Sequence, residues 1–164
     1  MNIDKLKHLA EQCALNGSQP TKEQLLDMSI YEMHQFSILV EKIKTKIENE
    51  NSIKNCLKNR TDLKISTDDG SSWILTPHAL KRFIERSKYK TDNTLGTIKT
   101  DLNKPFKADF SKKHFKINAL FNHSFESAEY YFGRTTHLLY VVIDDNVIKT
   151  CYNNDGNRFK IIFS

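Results

Sequence analysis

The chain predicts an α+β fold, and three observations carry the prediction. Apolar side chains recur at helical spacing through the first sixty residues. A well-capped helix start stands at Thr76-Pro77, and the part after His114 breaks into short apolar segments separated by turn residues. Helices followed by consecutive short strands with tight turns imply an antiparallel sheet with helices packed against it. The change from helical period to turn chemistry falls between Asn59 and Gly70, which divides the chain into a helical region, 1–60, and a helix-plus-antiparallel-sheet region, 61–164.

The elements follow in order. Ile3, Leu6, Leu9, Ala10, Cys13 and Ala14 make one face of a short helix, and Asn16-Gly17 supplies its left-handed stop before Pro20. Thr21 with Gln24 three residues on is a capping-box pattern. The run after it places Leu26, Met33, Val40 and Ile47 seven residues apart, with Ser29, Phe36 and Ile43 between them. That spacing predicts a long second helix, with Ile53 and Leu57 extending it after a break at the polar stretch 48–52. Leu63 and Ile65, then Trp73-Ile74-Leu75, are strand candidates around the turn-rich Asp68-Asp69-Gly70. Thr76 as N-cap and Pro77 at the first helical position open the next helix, and another covers Asp92 to Asn103. Strands are expected at 114–120, 127–133, 136–143, 147–152 and 158–163.

Composition excludes several classes. In 164 residues there are only five Gly and three Pro, and 38% are hydrophobic, so collagenous and disordered chains are ruled out. No apolar run is long enough for a membrane span, and the opening residues lack a signal peptide's apolar core, so a cytoplasmic protein with no membrane partner is expected. Cys13, Cys56 and Cys151 are distant in sequence and form no CxxC, which predicts reduced thiols. Region 1–60 holds nine basic and eight acidic residues, whereas 61–164 holds sixteen and twelve. Between His78 and Lys116 eleven lysines and arginines face four acids. Such a cluster suits a phosphate-bearing partner through counterion release, although a solvated lysine-rich surface reads the same way.

The helix at Pro77–Arg86 partitions cleanly. Leu80, Phe83 and Ile84 share one side, and His78, Lys81, Arg82, Glu85 and Arg86 share the other. A histidine among arginines offers neutral imidazole for proton transfer beside planar forks for phosphate, the pair of roles that phosphodiester cleavage by a 2′-hydroxyl requires. His78 also stands in the first turn of its helix, where anions are attracted. On the strands, alternation groups Thr136, Leu138, Tyr140 and Val142 against Thr135, His137, Leu139 and Val141. It likewise groups Ile148, Thr150 and Tyr152 against Val147, Lys149 and Cys151. Thr150 and Tyr152 thus point the same way. No phosphate-cradling glycine loop, serine-hydrolase elbow or paired-histidine metal motif is present, and no cofactor or metal is expected.

The order Ile74-Leu75-Thr76, the helix Pro77-His78-Ala79-Leu80-Lys81-Arg82-Phe83-Ile84-Glu85-Arg86, and strands ending in Tyr140–Ile143 and Val147–Tyr152 resembles the BECR superfamily. That group gathers barnase, EndoU, the tRNA-cutting colicins and RelE-like nucleases; its toxin and phage branches often carry a His-Ala-x-x-Arg-x-x-x-Arg helix. The resemblance covers about Leu63 to Phe163 and leaves 1–60 as a helical assembly or regulatory region. It implies a BECR-like nuclease domain at 61–164 that performs metal-independent RNA cleavage to a 2′,3′-cyclic phosphate. Matched residue by residue, it implies a site of His78, Arg82, Arg86, Thr150 and Tyr152. His137 and Arg134 have no firm counterpart, so the second proton-transfer group stays open among Tyr152, Thr150 and His137. Lys81, Lys88, Lys90 and Arg134 are the basic candidates for RNA binding.

The expected function is accordingly a toxin-like or phage-associated endoribonuclease with RNA as partner and a cognate inhibitor or antitoxin as a second. The alternatives are a non-catalytic nucleic-acid-binding or inhibitor protein, and an interaction protein acting through its long helix. The seam Leu26–Ile47 needs a cover, and the first helix is short, which predicts a homodimer through residues 21–50.

Overall fold

The computed structural model describes residues 2–87, 93–108 and 128–153. Among these residues the chain forms α1 (Ile3–Asn16), α2 (Lys22–Leu26), α3 (Ile30–Asn59), β1 (Leu63–Ser66), β2 (Ser72–Leu75), α4 (Pro77–Arg86), α5 (Thr94–Leu102), β3 (Phe106–Lys107), β4 (Glu129–Phe132), β5 (Leu138–Ile143) and β6 (Val147–Asn153). The expected strands at 114–120 and 158–163 lie outside the described residues. The fold is α+β, and it divides into two compact units, Met1–Asn51 and Ser52–Ser164.

The first unit is helical. Asn2 caps α1 and Gly17, at φ 65°, ends it. Thr21 and Gln24 form the full capping box of α2, but this helix stops after one turn. A second box restarts the chain: the Ser29 backbone N–H donates to Glu32 Oε2 at 2.8 Å, and the Glu32 N–H donates to Ser29 Oγ at 3.3 Å. The single long helix expected from Thr21 is therefore two, because Ser29 is a better N-cap than a helix interior residue. The expected break at 48–52 is absent. Asn and Glu there lower helix propensity only slightly, and no Gly or Pro interrupts the ladder. Leu6, Leu9, Ala10 and Cys13 of α1 bury Phe36, with Leu39, Val40 and Ile43 half-buried beside it, so α1 covers the middle of the seam. Leu26 and Ile30 remain 85% exposed.

The second unit is built on a sheet in the order β1-β2-β6-β5-β4-β3. Four of its pairings are antiparallel, while β2 and β6 are parallel through Ile74–Val147 and Leu75–Ile148. The sheet is thus mixed rather than antiparallel. Partners more than seventy residues apart leave no local signal of their relative direction. The Thr67–Ser71 turn closes the β1–β2 hairpin, with Gly70 at φ 85°. Cys56 and Ile53, in the last turns of α3, join Trp73, Leu75, Leu80, Phe83, Ile98, Tyr140 and Ile148 in the core.

One irregularity matters for the site. Val141 pairs with Thr150 and Val142 with Ile148, so Lys149 is the extra residue of a bulge. The bulge resets the side-chain alternation. Ile148 therefore joins Cys151 in the core instead of sharing a face with Thr150 and Tyr152, as strict alternation predicts. Cys13, Cys56 and Cys151 are buried free thiols.

Candidate functional site

Every described candidate lies in the second unit. Thr76 builds its near end: the hydroxyl accepts the Ala79 N–H at 3.2 Å and donates to the Ile148 carbonyl at 3.0 Å, so one side chain caps α4 and ties it to β6. Because β2 pairs with β6 only as far as Ile148, the next stretch of that β6 edge has carbonyls to satisfy. Arg86, at the last turn of α4, reaches the far end of this edge and donates from Nη1 to the Cys151 carbonyl. Its guanidinium carbon then stands 4.8 Å from the centroid of the Tyr152 ring. Such stacking suits a planar cation.

α4 buries Ala79, Leu80 and Phe83 beneath its polar arc, whereas Ile84, expected on the apolar side, is 45% exposed. His78 and Lys81 are exposed, and Arg82 and Arg86 are half-buried. Glu85 serves as a shared counter-ion, 2.9 Å from Arg82 and 3.9 Å from Lys81. An exposed pair of this kind contributes only about 0–1 kcal/mol, so an incoming phosphate can compete for Arg82. At 1.5 Å of rise per residue, His78 stands about 6 Å along the axis from Arg82 and about 12 Å from Arg86. The structure therefore brings Arg86 and Tyr152 together and sets His78 at the opposite end of the arc.

Burial fixes what the β6 groups can do. The Tyr152 phenol is raised by burial, and the pull of Arg86 and then Arg82 offsets this only in part. It is a neutral hydrogen-bond donor near neutral pH, not a base. Burial pushes the Cys151 thiol up to about 12 despite the same two arginines, which leaves it inert. Thr150 is buried opposite Val141.

Two further candidates sit on the β4–β5 turn. His137 is exposed, adopts φ 58°, and sets its ring 5.8 Å from that of Phe132. Arg134 is exposed, with its guanidinium carbon 4.0 Å from the Phe106 ring centroid. Lys88 and Lys90 lie outside the described residues. Among the described residues no three His, Cys, Asp or Glu side chains converge as a metal site.

The chain matches no family model, no curated protein and no solved structure. Sequence reasoning missed Asp101, a fully buried carboxylate on α5 that binds the β4–β5 turn. Its one sequence signal is a position i+3 from Ile98 and next to Leu102, on the apolar side of α5, where an unpaired acid is not expected. Among the described residues, clefts also lie elsewhere. One of about 500 Å³ is in the first unit beside His8 and Gln12, and one of about 510 Å³ lies against α5 beside Asp68, Lys99 and Asn103.

Proposed function

We propose that the chain is an endoribonuclease that cleaves RNA without a metal ion, by attack of the ribose 2′-oxygen on the adjacent phosphorus. The observation that carries the reading is the convergence of Arg86 on Tyr152 at one end of an exposed arc that also presents Arg82 and His78. Arg82 and Arg86 neutralise the charge that grows on the phosphoryl oxygens, and the neutral Tyr152 phenol donates a hydrogen bond to one of them.

Cleavage needs two proton transfers. One group removes the 2′-hydroxyl proton as the 2′-oxygen bonds to phosphorus, and another protonates the 5′-oxygen as its bond to phosphorus breaks. His78 takes one of these roles, and the second proton-transfer group stays open between Tyr152 and His137. The products are a 2′,3′-cyclic phosphate and a 5′-hydroxyl. The biological setting that accompanies this reading is toxin-like or phage-associated, in the cytoplasm, with a cognate inhibitor or antitoxin as partner. The buried Thr150 is withdrawn from the reacting groups and kept as packing.

The test is direct. Full-length protein is incubated with end-labelled RNA in excess EDTA, alongside His78→Ala. Cleavage by the wild type that the variant loses supports the reading. RNA that is bound and left intact favours the alternative, a non-catalytic nucleic-acid-binding or inhibitor protein, for which the same basic arc would serve as a phosphate contact surface.

A further inference from the structure

We infer that Asp101 is a positioning residue for the proposed cleavage: buried beneath the β4–β5 turn, it fixes the turn that carries His137 at the end of the sheet where Arg86 meets Tyr152. The inference rests on the ribonuclease reading and extends it to a residue that never meets RNA.

Asp101 is completely buried, and its carboxylate accepts four hydrogen bonds. Oδ1 takes the backbone N–H of Thr135 at 2.8 Å and of Thr136 at 3.0 Å. Oδ2 takes the Tyr140 hydroxyl at 2.7 Å and the Thr136 hydroxyl. The carboxylate so closely underlies the turn that a Cβ at Gly133 would overlap it, which explains glycine at that position. Hairpins close routinely on two to five residues with no buried charge. A carboxylate taken out of water is costly unless its bonding is complete, so its use here implies that the turn's geometry matters beyond chain reversal.

The turn itself carries the second sign. His137 closes the turn with a left-handed backbone, φ 58°, which non-glycine residues adopt uncommonly, although histidine enters it more readily than most. The His137 N–H donates to the Gly133 carbonyl at 3.1 Å, and the Leu138 N–H reaches the Thr136 hydroxyl at 3.3 Å. An unfavourable backbone persists where its surroundings over-determine it, and such residues gather at functional sites. Register gives the location. Leu138 pairs with Asn153 and Leu139 with Tyr152, so His137 stands at the β5 end beside the last described residues of β6. Phe132, which touches the His137 ring, packs in the same cluster as Leu139 and Tyr152.

The experiment is a double-mutant cycle on RNA cleavage with full-length protein: wild type, Asp101→Asn, His137→Ala and the double variant. Tyr140→Phe replaces Asp101→Asn as the perturbing change if the latter does not fold. If Asp101 acts through His137, the perturbing variant lowers kcat about tenfold or more with little change in KM, and adds nothing to the His137→Ala loss. Losses that multiply in the double variant overturn the inference and leave the ribonuclease reading standing, as does an unchanged kcat in any folded single variant. A wild type that cleaves no RNA removes both.

Discussion

The guanidinium of Arg86 stacks 4.8 Å from the Tyr152 ring centroid while its Nη1 closes the open β6 edge at the Cys151 carbonyl. One side chain thus has a structural duty and a place in the candidate phosphate seat. Arg86→Lys separates the two poorly, because an ammonium neither stacks as a plane nor spans both partners. The expected outcome is a loss of about 1–2 kcal/mol in urea unfolding together with impaired cleavage. Arg82→Lys, whose described partner is only the exposed Glu85, should impair cleavage with almost no change in stability. Equal stability losses for the two variants would contradict the assignment.

His78 separates function from folding more cleanly. It is exposed on the first turn of α4, and the cap and core contacts belong to Thr76, Ala79, Leu80 and Phe83. His78→Ala should abolish RNA cleavage and shift stability by no more than about 0.5 kcal/mol. Thermal unfolding and a single-turnover assay on the same preparation decide it.

Gly133→Ala asks whether the turn rests on Asp101. The added Cβ meets the carboxylate and cannot be accommodated by an outward rotation, since Asp101 is itself buried. A destabilisation of about 2–3 kcal/mol is expected in chemical unfolding. Gly70→Ala is the control: its Cβ would enter open space, so only the cost of φ 85° remains, about 1 kcal/mol. Near-equal effects would argue against a close approach at Gly133.

The Asp69 carboxylate predicts a pH response. The Thr67 hydroxyl first, and then the Ser71 N–H, lower its pKa to about 2. A folded-state pKa below the unfolded value, about 3.9 for aspartate, means the contribution is complete above pH 4 and is lost as pH falls toward 2. Carboxyl NMR titration should find Asp69 still ionised at pH 3, and Thr67→Val should return its midpoint toward the ordinary value.

The helical unit offers a test of self-association. Phe36 is buried against α1, whereas Ile30 is largely exposed. Phe36→Ala should cost about 3–5 kcal/mol in the unfolding of the first unit. If residues 21–50 also pair two copies, Ile30→Glu should dissociate them without lowering that stability. Light scattering that finds a monomeric wild type at micromolar concentration would leave the seam as an intramolecular core alone.

Local signals were legible and distant ones were not. Thr76-Pro77 and the apolar set Leu80 and Phe83 place α4 and its exposed arc, because caps and periodicity act within one or two turns. The Ser29–Glu32 box is equally local, yet the stronger seven-residue repeat concealed it. The parallel β2–β6 pairing and the Lys149 bulge depend on partners chosen by the whole sheet, and strict alternation misassigned Ile148 for that reason. At the site, the contact of Arg86 with Tyr152 joins residues more than sixty positions apart. Asp101, on α5, takes its four hydrogen bonds from the β4–β5 hairpin more than thirty positions away, so only its place on the apolar side of α5 marks it in the sequence.

The most direct test of the central claim is the chemistry of the cut ends. A short RNA with a single 2′-deoxy substitution at the cleaved position is compared with its unmodified counterpart in EDTA, and the products are identified by mass spectrometry. The unmodified strand should yield a 2′,3′-cyclic phosphate and a 5′-hydroxyl while the substituted strand stays intact. A 3′-hydroxyl with a 5′-phosphate, cleavage that persists at the 2′-deoxy position, or no cleavage of any RNA would contradict it.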